Sequence, residues 1–238
     1  LVTLSILLLR FNMLILIMKN LTLIIPAKNE SESLPTVLSE LKKFNYNVNI
    51  VLHSSDTKTI QSIENHKVNI IYQKNLGYGD AIIEGINNCH TEYFCIFNAD
   101  GSFNPSEINN MLKSMQIRQL DFIFASRYEA NAGSDDDTII TLIGNYIFTY
   151  IGKIFFKLNI SDILYTYLIG KTDQAKKLNL SQKDFSLCVE LPIKAKKNMM
   201  KLGCINAFER KRIAGKKKVN AFRDGFLILN HMIKLFFK

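Results

Sequence analysis

The chain has 238 residues, 47% of them hydrophobic, and a formal net charge of +9 from 30 Lys and Arg against 21 Asp and Glu. This composition excludes a disordered chain, and the length suits one α/β domain with a short appendage. The positive balance points to an anionic partner (nucleic acid, a phosphorylated substrate or lipid headgroups) and is silent on fold.

In chain order, Leu1 to Leu9 is almost wholly apolar, Arg10 and Asn12 interrupt it, and Met13 to Met18 is apolar again. A spanning helix needs about 20 apolar residues, and a central Arg costs about 2.5 kcal/mol or more. A signal peptide carries its charge before the apolar run and small residues after it. Neither pattern fits. Residues 1–17 are expected to lie outside the functional domain or to touch a membrane, with the domain at 18–218 and an amphipathic helix at 219–238.

Leu21 to Pro26 reads as a strand buried on both faces, with further strands at 48–52, 68–72, 93–97 and 121–125. Helical spacing covers 31–44, 57–65, 80–88 and 105–116 between them. Strands alternating with helices predict an α/β fold with a mostly parallel central sheet flanked by helices. After an acidic loop at 132–138, two apolar helices are predicted. The first, 141–158, carries a stripe of Ile143, Ile147, Tyr150, Ile151, Ile154, Phe155 and Leu158. The second, 222–237, carries Phe222, Phe226, Leu229, Ile233 and Phe236. Both helices either pack on the core or lie in a membrane interface. The cysteines (Cys89, Cys95, Cys188, Cys204) form no CxxC pair and the histidines no metal-ligand spacing, so neither a disulfide scaffold nor a structural zinc site is expected.

Ligands of parallel sheets bind beyond the carboxyl ends of the strands, so the residues there carry the functional signal. The first strand ends in Pro26-Ala27-Lys28-Asn29-Glu30, which suits a nucleotide pocket or a plain helix start. The fourth ends in Asn98-Ala99-Asp100-Gly101-Ser102, where a carboxylate beside Gly suits a divalent cation or a plain turn. Gly77-Tyr78-Gly79 lacks the third glycine of a dinucleotide fingerprint; it lets backbone pass close to a sugar nucleotide or forms a turn. Only Phe208 and Phe222 flank the basic run 209–218 as aromatics, so nucleic acid is not an expected partner, whereas an anionic membrane surface is.

Six segments together resemble the family 2 glycosyltransferases, and among them the dolichyl-phosphate mannose synthase group. They are LTLIIPAKNE (21–30), NLGYGDAIIEGI (75–86), FNADGSFNP (97–105), ASRY (125–128), ISD (160–162) and FERKRIAGKKKV (208–219), so the resemblance spans about residues 19–230. It implies a GT-A type fold and inverting transfer of a hexose from a nucleotide sugar, of GDP-mannose or UDP-glucose type, to a polyprenyl phosphate. It also implies a cytoplasmic chain peripherally bound at the inner membrane face. Pro26, Lys28, Glu30, His53, Gly79, Asn98, Ala99 and Asp100 would then line the donor pocket. Asp100, with Asn98 and Ser102, would hold Mg2+ or Mn2+. Arg127, Arg212 and Lys218 would meet phosphates, and Asp162 would lie on the acceptor side.

Two departures stand out: His53 sits near the place of an Asp that contacts the base, and Asn98 replaces the first Asp of a DxD motif. They leave open the nucleotide and the reading of an inactive nucleotide- or membrane-binding relative. No Glu-Asp dipeptide occurs to serve as a general base. A phosphate acceptor, mostly ionised at pH 7, needs none. A glycan hydroxyl acceptor would need one, for which Asp135, Asp136 and Asp137 are candidates unless they only cap the following helix.

Overall fold

The computed structural model describes residues 20–215 and 217–237. The expectation for residues 1–17, and Lys216 of the basic run, fall outside the described residues.

The N-terminal half alternates as its hydrophobic pattern requires: Leu21–Pro26 (β1), Leu34–Leu41 (α1), Asn47–Leu52 (β2), Thr57–Ser62 (α2), Asn69–Tyr72 (β3), Tyr78–Asn87 (α3), Tyr93–Ile96 (β4), Glu107–Ile117 (α4) and Phe122–Ser126 (β5). All five strands lie within one residue of their predicted ends. The second half contains Gly133–Ser134 (β6), Ile139–Phe156 (α5), Leu168–Lys171 (β7), Thr172–Lys177 (α6), Leu187–Lys197 (α7), Leu202–Asn206 (β8), Phe208–Glu209 (β9) and Ala221–Phe236 (α8). Among the described residues seven strands form one sheet in the order β3-β2-β1-β4-β7-β5-β8, with β6 and β9 paired apart. β7 runs antiparallel to both of its neighbours, and every other neighbouring pair in the large sheet is parallel.

The elements after residue 158, α8 apart, were not predicted, for local reasons. β7 is only four residues long and contains Gly170, a weak strand former. The glycine is needed: a Cβ there would meet Phe122 Cδ1 of β5 at 2.5 Å and Phe94 Cε1 of β4 at 2.7 Å. α7 contains Pro192, which reads against a helix.

Each face of the sheet carries a packed layer. Leu34, Val37, Leu38 and Leu41 of α1 and Ile108, Met111, Leu112 and Met115 of α4 cover one face. Ala81, Ile82 and Ile86 of α3 and Leu187, Leu191 and Ile193 of α7 cover the other.

α5 breaks the usual pattern. Its buried residues are Asn145, Thr149, Gly152 and Phe156, while Ile143, Ile147, Tyr150, Ile154 and Phe155 are each more than half exposed. The polar inward residues are satisfied: Asn145 Oδ1 accepts from Thr149 Oγ1 and Leu164 N at 3.3 Å, and Thr149 Oγ1 accepts from Ile163 N at 3.2 Å. α8 buries Ile228, Met232 and Leu235 and exposes Phe222, Phe226 and Ile233. The two helices meet through Phe236, whose ring packs edge-on against Phe155 and Phe156 at 5.6 and 6.1 Å. A continuous exposed apolar surface results.

Candidate active site

β2, β1 and β4 lie side by side and run parallel, so the segments leaving them form one rim. At the end of β1, Asn29 N donates to Asp56 Oδ2 at 2.6 Å and Glu30 N to Thr59 Oγ1 at 3.0 Å. Ser33 Oγ donates to Glu30 Oε2 at 2.6 Å, and Lys218 Nζ donates to Glu30 Oε1. Pro26 is half-buried and Lys28 is exposed at this rim. After β2, His53 Nδ1 and Ser55 Oγ lie 2.7 Å apart.

The turn after β4 organises one carboxylate. Asp100 Oδ1 accepts from Ser102 N at 3.0 Å and from Ser102 Oγ at 2.7 Å. Asn98 Nδ2 in turn donates to Ser102 Oγ at 3.3 Å. Ala99 is buried behind them. Asp100 Oδ2 is left 3.7 Å from Arg212 Nη1. The segment after β9 is bonded along this turn: Arg210 N donates to Ser102 O and Ile213 N to Asp100 O, both at 2.8 Å. Gly101 permits the contact, because its φ of +83° suits glycine and a Cβ there would meet Ile213 Cδ1 at 2.5 Å.

Arg212 chiefly holds Asp136, with Nε–Oδ1 at 3.1 Å and Nη2–Oδ2 at 2.7 Å, and Lys217 Nζ lies 3.6 Å from the same carboxylate. Burial would raise the Asp136 pKa, but hydrogen bonding and charge from Arg212, then Lys217, leave it below the ordinary value.

A second cluster stands after β5. Arg127 meets Asp162 bidentately, with Nε–Oδ2 at 2.8 Å and Nη2–Oδ1 at 3.0 Å, and its Nη1 reaches Glu209 Oε2 at 3.1 Å. Its guanidinium carbon lies 4.5 Å from the ring centre of Tyr165 and 5.2 Å from that of Tyr128. Burial works against the Arg127 charge, but the bonds and charge of Asp162, then Glu209, raise its pKa. Asp162 is fully buried and also accepts from Arg127 N at 3.1 Å and from Asn145 Nδ2. Burial raises the Glu209 pKa, against the pull of Arg127. The Tyr165 hydroxyl is buried and has no hydrogen-bond partner among the described residues.

The Asp100 turn fits a hard divalent cation of a particular kind. One carboxylate oxygen is held by Ser102, and among the described residues the other has an ion-pair contact only with Arg212 at 3.7 Å. Among the described residues no three His, Cys, Asp or Glu gather to form a metal cage. Mg2+ is commonly bound by one or two carboxylates and completed by water and substrate phosphates, which matches this donor set.

The glycosyl transferase family 2 model matches residues 22–178, more than half of the chain. The chain belongs to glycosyl transferase family 2. Uncharacterised glycosyltransferases of Mycobacterium tuberculosis and Mycobacterium bovis are 27% identical over 94 residues, 40% of this chain. The chain matches only 43% of those relatives' length. Among solved structures, mannosyl-3-phosphoglycerate synthase from Rubrobacter xylanophilus is similar with a TM-score of 0.67 and 12% identity, over 90% of this chain and 72% of that one. Glucosyl-3-phosphoglycerate synthase from Mycobacterium tuberculosis, solved with Mn2+, UDP and phosphoglyceric acid, gives 0.67 and 9%, over 92% and 78%. These likenesses bear on the fold, which is GT-A.

Within this family 2 domain the structure brings together Asn98, Asp100 and Ser102, and carries Arg212 and Lys218 to the same rim as Glu30. Ser102 acts there as a donor to Asp100. Gly79 is packed on the chain itself. The space where its Cβ would lie is taken by Gln182 O at 2.1 Å and Asp184 O at 2.7 Å, so on that side the chain's own backbone passes close. Arg127 and Asp162 belong to the second cluster and spend their charges on each other. Of the acidic run, Asp136 pairs with Arg212, and Asp137 accepts from Thr138 N at 2.9 Å beside the helix start that Thr138 caps. Glu209 is the residue that sequence reasoning left without a site role, and Asp136, a candidate base there, is instead the partner of Arg212. Glu209 lay inside the FERKRIAGKKKV segment, and that was its only signal.

Proposed function

We propose that this domain transfers a hexose, with inversion, from a nucleotide sugar to a polyprenyl phosphate at the cytoplasmic face of a membrane. The observation that carries the reading is the pairing of a cation-rimmed carboxylate site with the exposed apolar surface of α5 and α8. α5 has 18 residues and a mean hydropathy of 1.5, enough by length and composition to cross a membrane, with 22% of it buried. Its inward polar residues moor it to the 162–164 segment, which favours a helix lying in the interface plane over one that crosses. Exposed cations on this side, Lys153 and Arg223 among them, suit anionic headgroups.

In the reaction a phosphate oxygen of the acceptor attacks the anomeric carbon, the bond to the donor diphosphate breaks, and the nucleoside diphosphate leaves. Asp100, supported by Asn98 and Ser102, would hold Mg2+ or Mn2+, which when bound neutralises charge on the leaving diphosphate. Arg212 and Lys218 add fixed positive charge at the same rim. Pro26, Lys28, Glu30 and His53 line the donor side. Arg127 and Asp162 act as a positioning pair that fixes the 160–165 segment. A lipid phosphate is already ionised and needs no general base.

A hydroxyl acceptor is the second reading, favoured by Asp135, which is exposed and whose carboxylate has no hydrogen-bond or ion-pair partner among the described residues. An incorporation assay separates the two. Purified protein in mild detergent receives labelled UDP-glucose or GDP-mannose with Mg2+ or Mn2+, with and without polyprenyl phosphate. Label entering the organic phase only with lipid phosphate and metal is the expected result. Metal-dependent donor breakdown without lipid product would transfer the proposal to a hydroxyl acceptor, and no turnover of any donor would favour an inactive relative.

A further inference from the structure

Arg212 stands where an incoming cation would also be drawn. Its Nη1 is 3.7 Å from Asp100 Oδ2, while Nε and Nη2 keep hold of Asp136. The backbone fixes it there. Arg210 N and Ile213 N are both bonded to the Asp100 turn. The Arg210 side chain anchors the segment from the other direction, holding Glu40 at 2.9 and 3.0 Å and Phe103 O at 2.6 Å. The guanidinium is therefore not a loose surface group that swings clear at no cost.

A divalent ion approaching Oδ2 meets a like charge beside the Asp100 carboxylate. Asn98 contributes no charge to offset this, and Asp136 is already committed to Arg212 and Lys217. Like charges at such separations oppose one another by an amount that decides occupancy. A diphosphate reverses the balance, because its oxygens ligate the ion and give Arg212 an anion to turn toward.

We propose that Arg212 is the resident counter-ion of Asp100, and that it admits a divalent cation to this site only together with the diphosphate of the donor. The inference rests on the reading of Asp100 as the metal carboxylate. It adds a binding order and names the residue that imposes it.

Manganese titration of the full chain, followed by the EPR signal of free Mn2+, tests it without any turnover. Wild type and Arg212→Lys are expected to bind Mn2+ weakly when alone, and UDP or GDP to tighten that binding at least about tenfold. Arg212→Gln is expected to bind Mn2+ alone at least about fivefold more tightly than wild type, and to gain much less from nucleotide. Asp100→Asn in the Arg212→Gln background should remove the gain. Equal affinity of wild type and Arg212→Gln for Mn2+ alone overturns the proposal, as does a gain that survives loss of Asp100. Should Arg212→Gln fail to fold, as circular dichroism would reveal, wild type still decides: Mn2+ binding that nucleotide leaves unchanged overturns it. Failure of the donor-site reading looks different, since neither UDP nor GDP would then bind any variant with Mn2+ present, and a nucleotide-binding relative without transfer would show itself in the incorporation assay instead.

Discussion

Asp100 and Arg127 both stand just beyond the ends of sheet strands, yet their charges are managed in opposite ways. Arg127 is enclosed by Asp162, Glu209 and two aromatic rings, and its main partner is wholly buried. Asp100 has one oxygen fixed by its own turn and the other at 3.7 Å from a guanidinium occupied elsewhere. A guanidinium held by two carboxylates and flanked by two rings is expected to serve as scaffold. A fixed carboxylate with an under-used oxygen is prepared for something that arrives. Position after a strand, which is all a sequence displays, does not distinguish the two.

The comparison breaks first at Asp100. Asp100→Ala is expected to lower the transfer rate by about 10³-fold or more, with the melting temperature nearly unchanged. Near-wild-type turnover of labelled donor would remove Asp100 from the site. Arg127 should answer in stability. Removing one partner of a buried pair costs about 3–5 kcal/mol, so Arg127→Met should shift the urea midpoint markedly downward. A loss under about 1 kcal/mol would mean that Arg127 is not scaffold and would return it to the list of phosphate ligands.

The smallest effect concerns pH. The Asp136 pKa lies below its ordinary 3.8 in the folded chain, so its stabilisation is full above pH 3.8 and is lost as pH falls through the folded value. Glu209 runs the other way. Its pKa is raised above 4.5, so its contribution weakens as pH climbs from 4.5 through the folded value. Asp136→Asn should therefore flatten the acid limb of a melting-temperature profile by the equivalent of about 1 kcal/mol, and leave the limb above pH 4.5 in place. An unchanged acid limb would separate Asp136 from Arg212 in solution.

The N-terminal half was legible because its signals are local. Continuous apolar runs such as Leu21 to Pro26 announce buried parallel strands, and the residues following them must gather at one rim. Asn98, Asp100 and Ser102 are neighbours in sequence, so their meeting needed no long-range knowledge. The second half hid itself by the same measure. Asp136 meets Arg212, and Glu209 meets Arg127, across long stretches of chain. Gly79 shows the limit of such a signal: a glycine tells that something passes close, and only the structure shows that the backbone of 182–184 does. α5 meets a similar limit. Its stripe was visible, but only the inward bonds of Asn145 and Thr149 decide which face turns out.

The placement of β7 bears on how such a domain can be divided. The strand that joins β4 to β5 is drawn from the second half of the chain, and it enters the middle of the sheet rather than its edge. A cut in the 127–167 stretch would leave an N-terminal piece whose β5 has no neighbour and a C-terminal piece with β7 but neither of the strands it pairs with. The rim beyond β2, β1 and β4 and the helices behind the apolar surface are thus not two interchangeable modules. An exchange of one for a relative's counterpart would have to keep β7 with the strands on both of its sides. The family match ends at residue 178, beyond β7 and not after β5, which accords with a unit that includes it.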